Sequence, residues 1–256
     1  GANIPEEFGG AGLDTVTWLL YEKELGKANY ALHWSCVARP SNILCAGTAE
    51  QREKYLAPCM RGEKSDCLAM TEPGAGSDLR GMKASAVQDG DDWVINGQKM
   101  WITNAGFADI FIVFAKIDDD ENLSAFILEK EYEGITMNPE EKKMGIKGSS
   151  TRQVFFNDVK VPIENLLYKR GKGFKIAVNI LNIGRIKLGG VVIGSCKEGI
   201  AISSKYANER EQFGRPISKY GAIRHKIGEM AIATFASESA VYRATQNIDD
   251  AIAALK

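Results

Sequence analysis

Thr71-Glu72-Pro73-Gly74-Ala75-Gly76-Ser77-Asp78 is the stretch on which the reading of this chain turns. It leaves one β-rich run, Cys67–Thr71, and precedes another, Lys83–Gln88. Gly74-x-Gly76 invites a dinucleotide-fold reading, but the third glycine of that fingerprint would fall on Leu79. The fingerprint also needs a helix after the glycines, and here the pattern stays strand-like. No GxxxxGK[ST] phosphate loop occurs. For the glycines alone, a tight turn weighs as much as a ligand loop. The neighbours tip the balance toward a ligand. Pro73 sets a turn, the glycines let backbone N–H groups approach, and Thr71 and Ser77 add directional hydrogen bonds.

Outward from this loop, residues 66–160 carry further short runs: Trp93–Asn96, Lys99–Thr103, Ile110–Lys116, Ser124–Glu129, Thr151–Phe156 and Val159–Val161. Asp89-Gly90, Asn96-Gly97, Asn104-Ala105-Gly106 and Asn157-Asp158 read as turns between them. Such spacing predicts an antiparallel β domain, a barrel or small sandwich. On the N-terminal side the pattern is helical. Asp14 is a plausible cap for a helix over Leu13–Lys27, and Thr48-Ala49-Glu50-Gln51 is a capping box opening a helix to about Met60. From Gly173 the helical period returns, running to about Arg210. Gln212-Phe213-Gly214-Arg215-Pro216 breaks it, and a second long helix runs from about Ser218 to the end. The expected division is a partial helical domain over 1–65, a β domain over 66–165 and a partial helical domain over 166–256.

The composition is that of a globular protein, 45% hydrophobic and 25% charged with net charge −1. No global field draws it to nucleic acid or an anionic membrane, and Lys142–Lys143 and Lys169–Lys172 read as solvated faces. Cys36, Cys45, Cys59, Cys67 and Cys196 form no CxxC pair, which suits free thiols in a reducing compartment. His33 and His225 have no second ligand nearby in the sequence, which argues against a zinc site or a Ser-His-Asp triad. No apolar run approaches the length of a membrane span. The chain starts at Gly1 without methionine and stops within a helical pattern, so both ends read as cuts through a longer protein.

Three more segments could carry chemistry. In Lys99-Met100-Trp101-Ile102-Thr103-Asn104, strand alternation puts Trp101 and Thr103 on one face and Met100 and Ile102 on the core face. An aromatic plane beside a hydroxyl suits a heteroaromatic ring; a Trp half-buried at a domain interface is the plainer alternative. In the first long helix, Arg185 falls inside an apolar stripe of Val178, Leu181, Leu188 and Val192, with Asn182 on the same side. A buried Arg needs a partner, and a structural salt bridge and an anionic ligand are equally open. Arg210 and Gln212 at the helix break are either solvated end groups or phosphate ligands.

Taken together, these residues resemble the acyl-CoA dehydrogenase family. Ala69–Asp78 resembles its first signature, and Lys99–Asn104 follows at the family's distance. Arg210-Glu211-Gln212-Phe213-Gly214 resembles the start of its second signature, and Ile4-Pro5-Glu6-Glu7-Phe8-Gly9-Gly10 extends the match to the front. Lys143–Lys147 and Leu181–Arg185 look most like the very-long-chain branch. The resemblance implies an α–β–α architecture of the α+β class, with FAD between the β domain and the C-terminal bundle. It assigns Leu68, Ala69, Met70, Thr71, Gly76 and Ser77 to the flavin lining. Thr71 would hydrogen-bond the ring, Trp101 would cover a face, Ile102 would join the cofactor-binding residues, and Thr103 would sit near N5. Ser77, Asn182 and Arg185 would meet the acyl-CoA. Arg210, Gln212 and Phe213 would hold the FAD of a partner subunit, which implies a homodimer or homotetramer.

The implied reaction is dehydrogenation of a saturated acyl-CoA to trans-2-enoyl-CoA in fatty-acid β-oxidation, with an electron-transfer flavoprotein as acceptor. The compartment would be the cytoplasm in a bacterium or the mitochondrial matrix in a eukaryote. The family's base is a glutamate, in most members beyond the position of residue 256 and in a minority just before the arginine matched by Arg185. Gly184 stands there, so no catalytic base is named within this chain. Tyr220-Gly221 departs from a His-Gln pair of some members. An oxidase of the same fold, or a non-catalytic FAD- or CoA-binding module, are the rival readings. The apolar residues Ile223, Ile227, Met230, Phe235 and Val241 of the last helix call for a packing partner.

Overall fold

The computed structural model describes residues 1–28 and 40–255. His33 and Cys36 lie outside the described residues. The chain divides into two compact units. The first holds Asn3–Ala11 and residues 40–181; the second holds residues 12–28 and 182–255.

The first unit is built on a mixed eight-stranded sheet. Its strands are β1 (Asp66–Ala69), β2 (Ser85–Asp89), β3 (Asp92–Thr103), β4 (Ile110–Ile117), β5 (Leu123–Glu129), β6 (Ile135–Met137), β7 (Thr151–Pro162) and β8 (Leu166–Leu167). The order is β6-β7-β3-β2-β4-β5-β8, with β1 also on β4. Most pairings are antiparallel as expected, but β1–β4 and β2–β4 are parallel. Parallel pairing has no local turn signal, so the sequence does not announce it. Both faces of β4 and β5 are covered. Phe111, Val113, Phe126 and Leu128 enter one apolar cluster; Ile112, Phe114, Ala125 and Ile127 enter the other.

Two expected turns are not turns. Asn96-Gly97 lies inside β3 and Asn157-Asp158 inside β7, and each faces the other. The register steps from Ile95↔Val159 to Gly97↔Phe156, so β7 carries one extra residue. Asp158 takes φ +50°, and its backbone N–H and carboxylate meet the two ends of the Asn96 amide at 2.9 and 3.0 Å. Turn-forming residues here serve a β-bulge, whose left-handed residue makes the same conformational demand.

The capping box is present. Gln51 N–H donates to Thr48 Oγ1, and Thr48 N–H donates to Gln51 Oε1. It opens α2, which runs through Ala49–Gln51, a π turn at Arg52–Leu56 and Ala57–Arg61.

The second unit contains α1 (Thr15–Leu25), most of α3 (Gly173–Glu209) and α4 (Gly221–Ala253). Asp14 caps α1 as expected, accepting from Thr17 N–H, and Asp249 accepts from Thr15 and Val16 N–H at 3.0 Å each. Lys23 meets Tyr242 at 2.9 Å, while Glu238 pairs with Lys197 at 2.6 Å. Contact between α1 and α3 is backbone-close. A Cβ on Gly194 would stand 1.9 Å from the Lys23 carbonyl oxygen, and one on Gly26 would stand 2.2 Å from that of Val191. By length and composition α3 could cross a membrane, a test that helices of bundles also pass. Among the described cysteines, Cys59 and Cys67 are buried, Cys45 is half-buried and Cys196 exposed. Burial pushes the Cys59 thiol up to about 12.

Candidate functional site

The two signature segments meet in the first unit. After β1 the chain makes a tight turn, Glu72–Ala75, closed by Glu72 N–H to Ala75 O at 3.0 Å and the reciprocal bond at 3.1 Å. Met100 N–H on β3 donates to Thr71 O at 2.9 Å, which ties the Thr71 backbone to β3 one residue before Trp101. Register slips there too. Lys99 pairs with Val154 and Ile102 with Arg152, which leaves one extra residue in β3. Trp101 takes φ +57°, and its side chain is 61% exposed. A bulky residue in left-handed backbone is uncommon and marks strain that the surroundings must hold.

That bulge alters the expected faces. Trp101 and Thr103 are both exposed and Ile102 is buried, as alternation predicted. Met100 is half-buried rather than core, and Lys99 takes a fully buried place instead. An extra residue in the strand breaks the two-residue period on which the expectation rested.

The first-signature residues present themselves unevenly. Ala69 and Met70 bury their side chains, Leu68 and Thr71 are half-buried, and Gly76 and Ser77 are exposed. A Cβ on Gly74 or Gly76 would meet nothing within 4 Å, so no part of the chain demands glycine there. Among the described residues, no side-chain hydrogen bond engages Thr71, Ser77, Trp101 or Thr103. An exposed indole and a free hydroxyl on β3, joined through Met100 to a loop of open glycines and free hydroxyls, fit a flat heteroaromatic ligand with polar edges.

Sequence reasoning missed Lys99 and Glu72 as a pair. Lys99 Nζ donates to Glu72 Oε1 at 2.7 Å and to Met70 O at 3.2 Å, with Met82 Sδ at 3.5 Å. Glu72 also accepts from Lys83 N–H at 2.6 Å and Ala84 N–H at 3.1 Å. Desolvation holds the Lys99 ammonium below its ordinary range, although Glu72 opposes that shift. A lysine two residues before a signature tryptophan in a strand carries no sequence sign of burial.

The remaining candidates lie on the second unit. Arg185 is not on a buried stripe: Leu181, Leu188 and Val192 are exposed, and so is Arg185, whose Nη1 donates to Asn182 Oδ1 at 3.2 Å. Beyond Arg185, the buried α3 positions include Gly190, Val191, Ile193 and Gly194, of which Gly190 and Gly194 abut Leu19 and Lys23 of α1 and Val191 abuts Gly26. A 3/4 spacing identifies an apolar face but not which of two such faces is covered. The segment at the helix break is a hairpin, β9 (Glu211–Gln212) and β10 (Arg215–Pro216). Its two tip residues, Phe213 and Gly214, take φ +51° and +76°. Positive φ at both tip residues is what a two-residue hairpin with strand-compatible twist requires. Tyr220 Oη donates to Gln212 O at 2.7 Å, and the Arg215 guanidinium stands 4.3 Å from the Tyr220 ring centre. Phe213 is 95% exposed, and Arg210 and Gln212 are exposed beside it.

Helical N- and C-terminal parts and a mixed β middle part define the fold class as α–β–α. The chain belongs to the acyl-CoA dehydrogenase family. Its residues 1–63, 67–159 and 171–254 match the family's N-terminal, middle and C-terminal domains. A probable acyl-CoA dehydrogenase of Bacillus subtilis (strain 168) is 47% identical over 98% of this chain. The mitochondrial very long-chain specific acyl-CoA dehydrogenase of Mus musculus is 40% identical over 97% of it. The chain spans 43% and 40% of those proteins, less than half of each. Among solved structures, an acyl-CoA dehydrogenase complexed with FAD from Bacillus anthracis matches with TM-score 0.92 and 45% identity, over 100% of this chain and 44% of that one. Butyryl-CoA dehydrogenase from Megasphaera elsdenii matches with TM-score 0.88 and 37% identity, over 98% of this chain and 68% of that one.

Proposed function

We propose that this chain frames FAD for the dehydrogenation of saturated acyl-CoA to trans-2-enoyl-CoA in fatty-acid β-oxidation. The observation that carries the reading is Trp101: an indole 61% exposed, in left-handed backbone, bonded through its neighbour to the Thr71 loop. Bound FAD supplies the acceptor for the β-hydride. Trp101 covers one face of the ring and excludes water there. Thr71 would hydrogen-bond the ring, Thr103 would sit near its reactive nitrogen, and Leu68, Ala69, Met70, Gly76, Ser77 and Ile102 would line it, the buried ones through their backbone. Ser77, Asn182 and Arg185 take the acyl-CoA; the exposed, single-partner Arg185 suits a phosphate ligand better than a structural ion pair. Arg210, Gln212 and Phe213, displayed on the hairpin, reach the FAD of a second copy in a homo-oligomer. The three-part division 1–65, 66–165 and 166–256 belongs to the same reading.

Proton removal from the substrate needs a positioned base. Glu72, the carboxylate adjoining Thr71, is occupied by two backbone N–H groups and Lys99. Gly184 offers none. We therefore place the base outside these residues. Electrons pass to an electron-transfer flavoprotein, in the cytoplasm of a bacterium or the mitochondrial matrix of a eukaryote.

Trp101→Ala tests this reading in protein reconstituted with FAD. Loss of the stacked indole is expected to weaken FAD retention by about 1 kcal/mol and shift the visible flavin band. Unchanged FAD content and an unchanged spectrum would overturn the assignment.

A further inference from the structure

We propose that the buried Lys99–Glu72 pair is a positioning device for the flavin edge, holding the Thr71 loop and the Trp101 bulge in one fixed relation. The proposal rests on the flavin reading of Trp101. Its own support is the wiring around the pair. From β3, two residues before Trp101, the Lys99 ammonium crosses to Met70 O and to Glu72, the residues on either side of Thr71. Glu72 in turn accepts from Lys83 and Ala84 N–H, at the approach to β2. One ion pair therefore ties the loop after β1, the start of β2 and the bulged end of β3.

The cost of this arrangement points to a role beyond stability. Lys99 is 0% exposed and Glu72 6%. Burying an ion pair loses hydration that mutual attraction only partly returns, and apolar replacement is often neutral or stabilising. A Met side chain could fill the Lys99 site beside Met70 and Met82. What Met cannot do is bond Met70 O and Glu72 together. That bond fixes the carbonyl direction next to Thr71 and opposes relaxation of the strained Trp101 backbone. Positions set within a few tenths of an ångström matter where a ring must meet hydrogen-bond partners on its edge.

The test uses protein reconstituted with FAD and compares Lys99→Met, Lys99→Met/Glu72→Gln and Glu72→Asp. Readouts are the FAD Kd by fluorescence, the visible circular dichroism of bound flavin, and Tm. For a positioning role, the Lys99→Met/Glu72→Gln protein keeps a cooperative melt, while its FAD Kd rises on the order of tenfold and its visible dichroism changes. Glu72→Asp, which keeps the charge and shortens its reach, is expected to give a smaller change of the same kind and is decisive if neither Lys99 variant folds. A Kd and dichroism that stay with the parent's while Tm alone moves would overturn the proposal. Trp101→Ala in the same series separates the two readings. If it too is silent, the flavin assignment has failed; if it responds and the pair variants do not, the positioning role has failed.

Discussion

Seven of the eight residues of β4 are buried, whereas in the 33 residues of α4 Thr245 is the buried one among those described. Both elements are rich in apolar side chains. β4 has strands on both sides and an apolar cluster against each face. α4 presents Met230, Ile232, Phe235 and Ile252 outward; Asp249 bonds the start of α1, and the half-buried Val241 packs at Gly189 of α3. Apolar content alone therefore does not say where stability resides. It resides where a second surface closes on the first, and here that is the sheet.

The comparison is broken most directly at Phe126, fully buried and edge-on to Trp93 at 5.7 Å between ring centres. Phe126→Ala is expected to cost about 3–5 kcal/mol in chemical denaturation, from lost transfer energy and the cavity left behind. A cost near 1 kcal/mol would mean that the sheet is not the stable part. In the helical unit, the corresponding weak point is small rather than large. Gly194→Ala drives a Cβ into the Lys23 carbonyl, so α1 and α3 must separate. We expect a loss of about 3 kcal/mol, read as a lowered midpoint for helix unfolding by far-UV circular dichroism.

Asp66 sharpens the comparison electrostatically. Unlike Glu72 it has no cation beside it among the described residues; Ser41 N–H reaches both carboxylate oxygens at 3.2 Å, and burial pushes its pKa up to about 7. The folded protein then keeps a proton that the unfolded chain has released. This group's contribution is most favourable below pH 4, declines as pH rises toward 7 and is flat above that. Asp66→Asn is expected to stabilise the protein at pH 8 by about 2 kcal/mol and to flatten that decline. Denaturation midpoints across pH 4–8 give the answer, and parallel curves for the two proteins would remove Asp66 from the account. Smallest is Phe235→Gln on the uncovered face of α4, which is expected to change stability by no more than about 0.5 kcal/mol. A loss comparable to that at Phe126 would show that α4 is covered in solution.

Local signals were readable along the chain wherever the structure depends on neighbours in sequence. The caps at Asp14 and Thr48 stand as read, because a cap is a bond across three residues. The long helices and most strands were visible through their periods, and the glycine turn and Trp101–Thr103 edge through residue types suited to a ring. What tertiary structure decided has one physical reason: the partner is far away in sequence. Asn96-Gly97 and Asn157-Asp158 carry turn chemistry, and pairing across 62 residues made a bulge of it. Lys99 looks like a solvent-facing strand residue until Glu72 arrives to pair with it. The stripe around Arg185 has the spacing of a buried face, but packing covered the opposite side of α3, where Gly190 and Gly194 allow α1 to approach. Composition and period set which surfaces could be buried, and long-range contact chose among them.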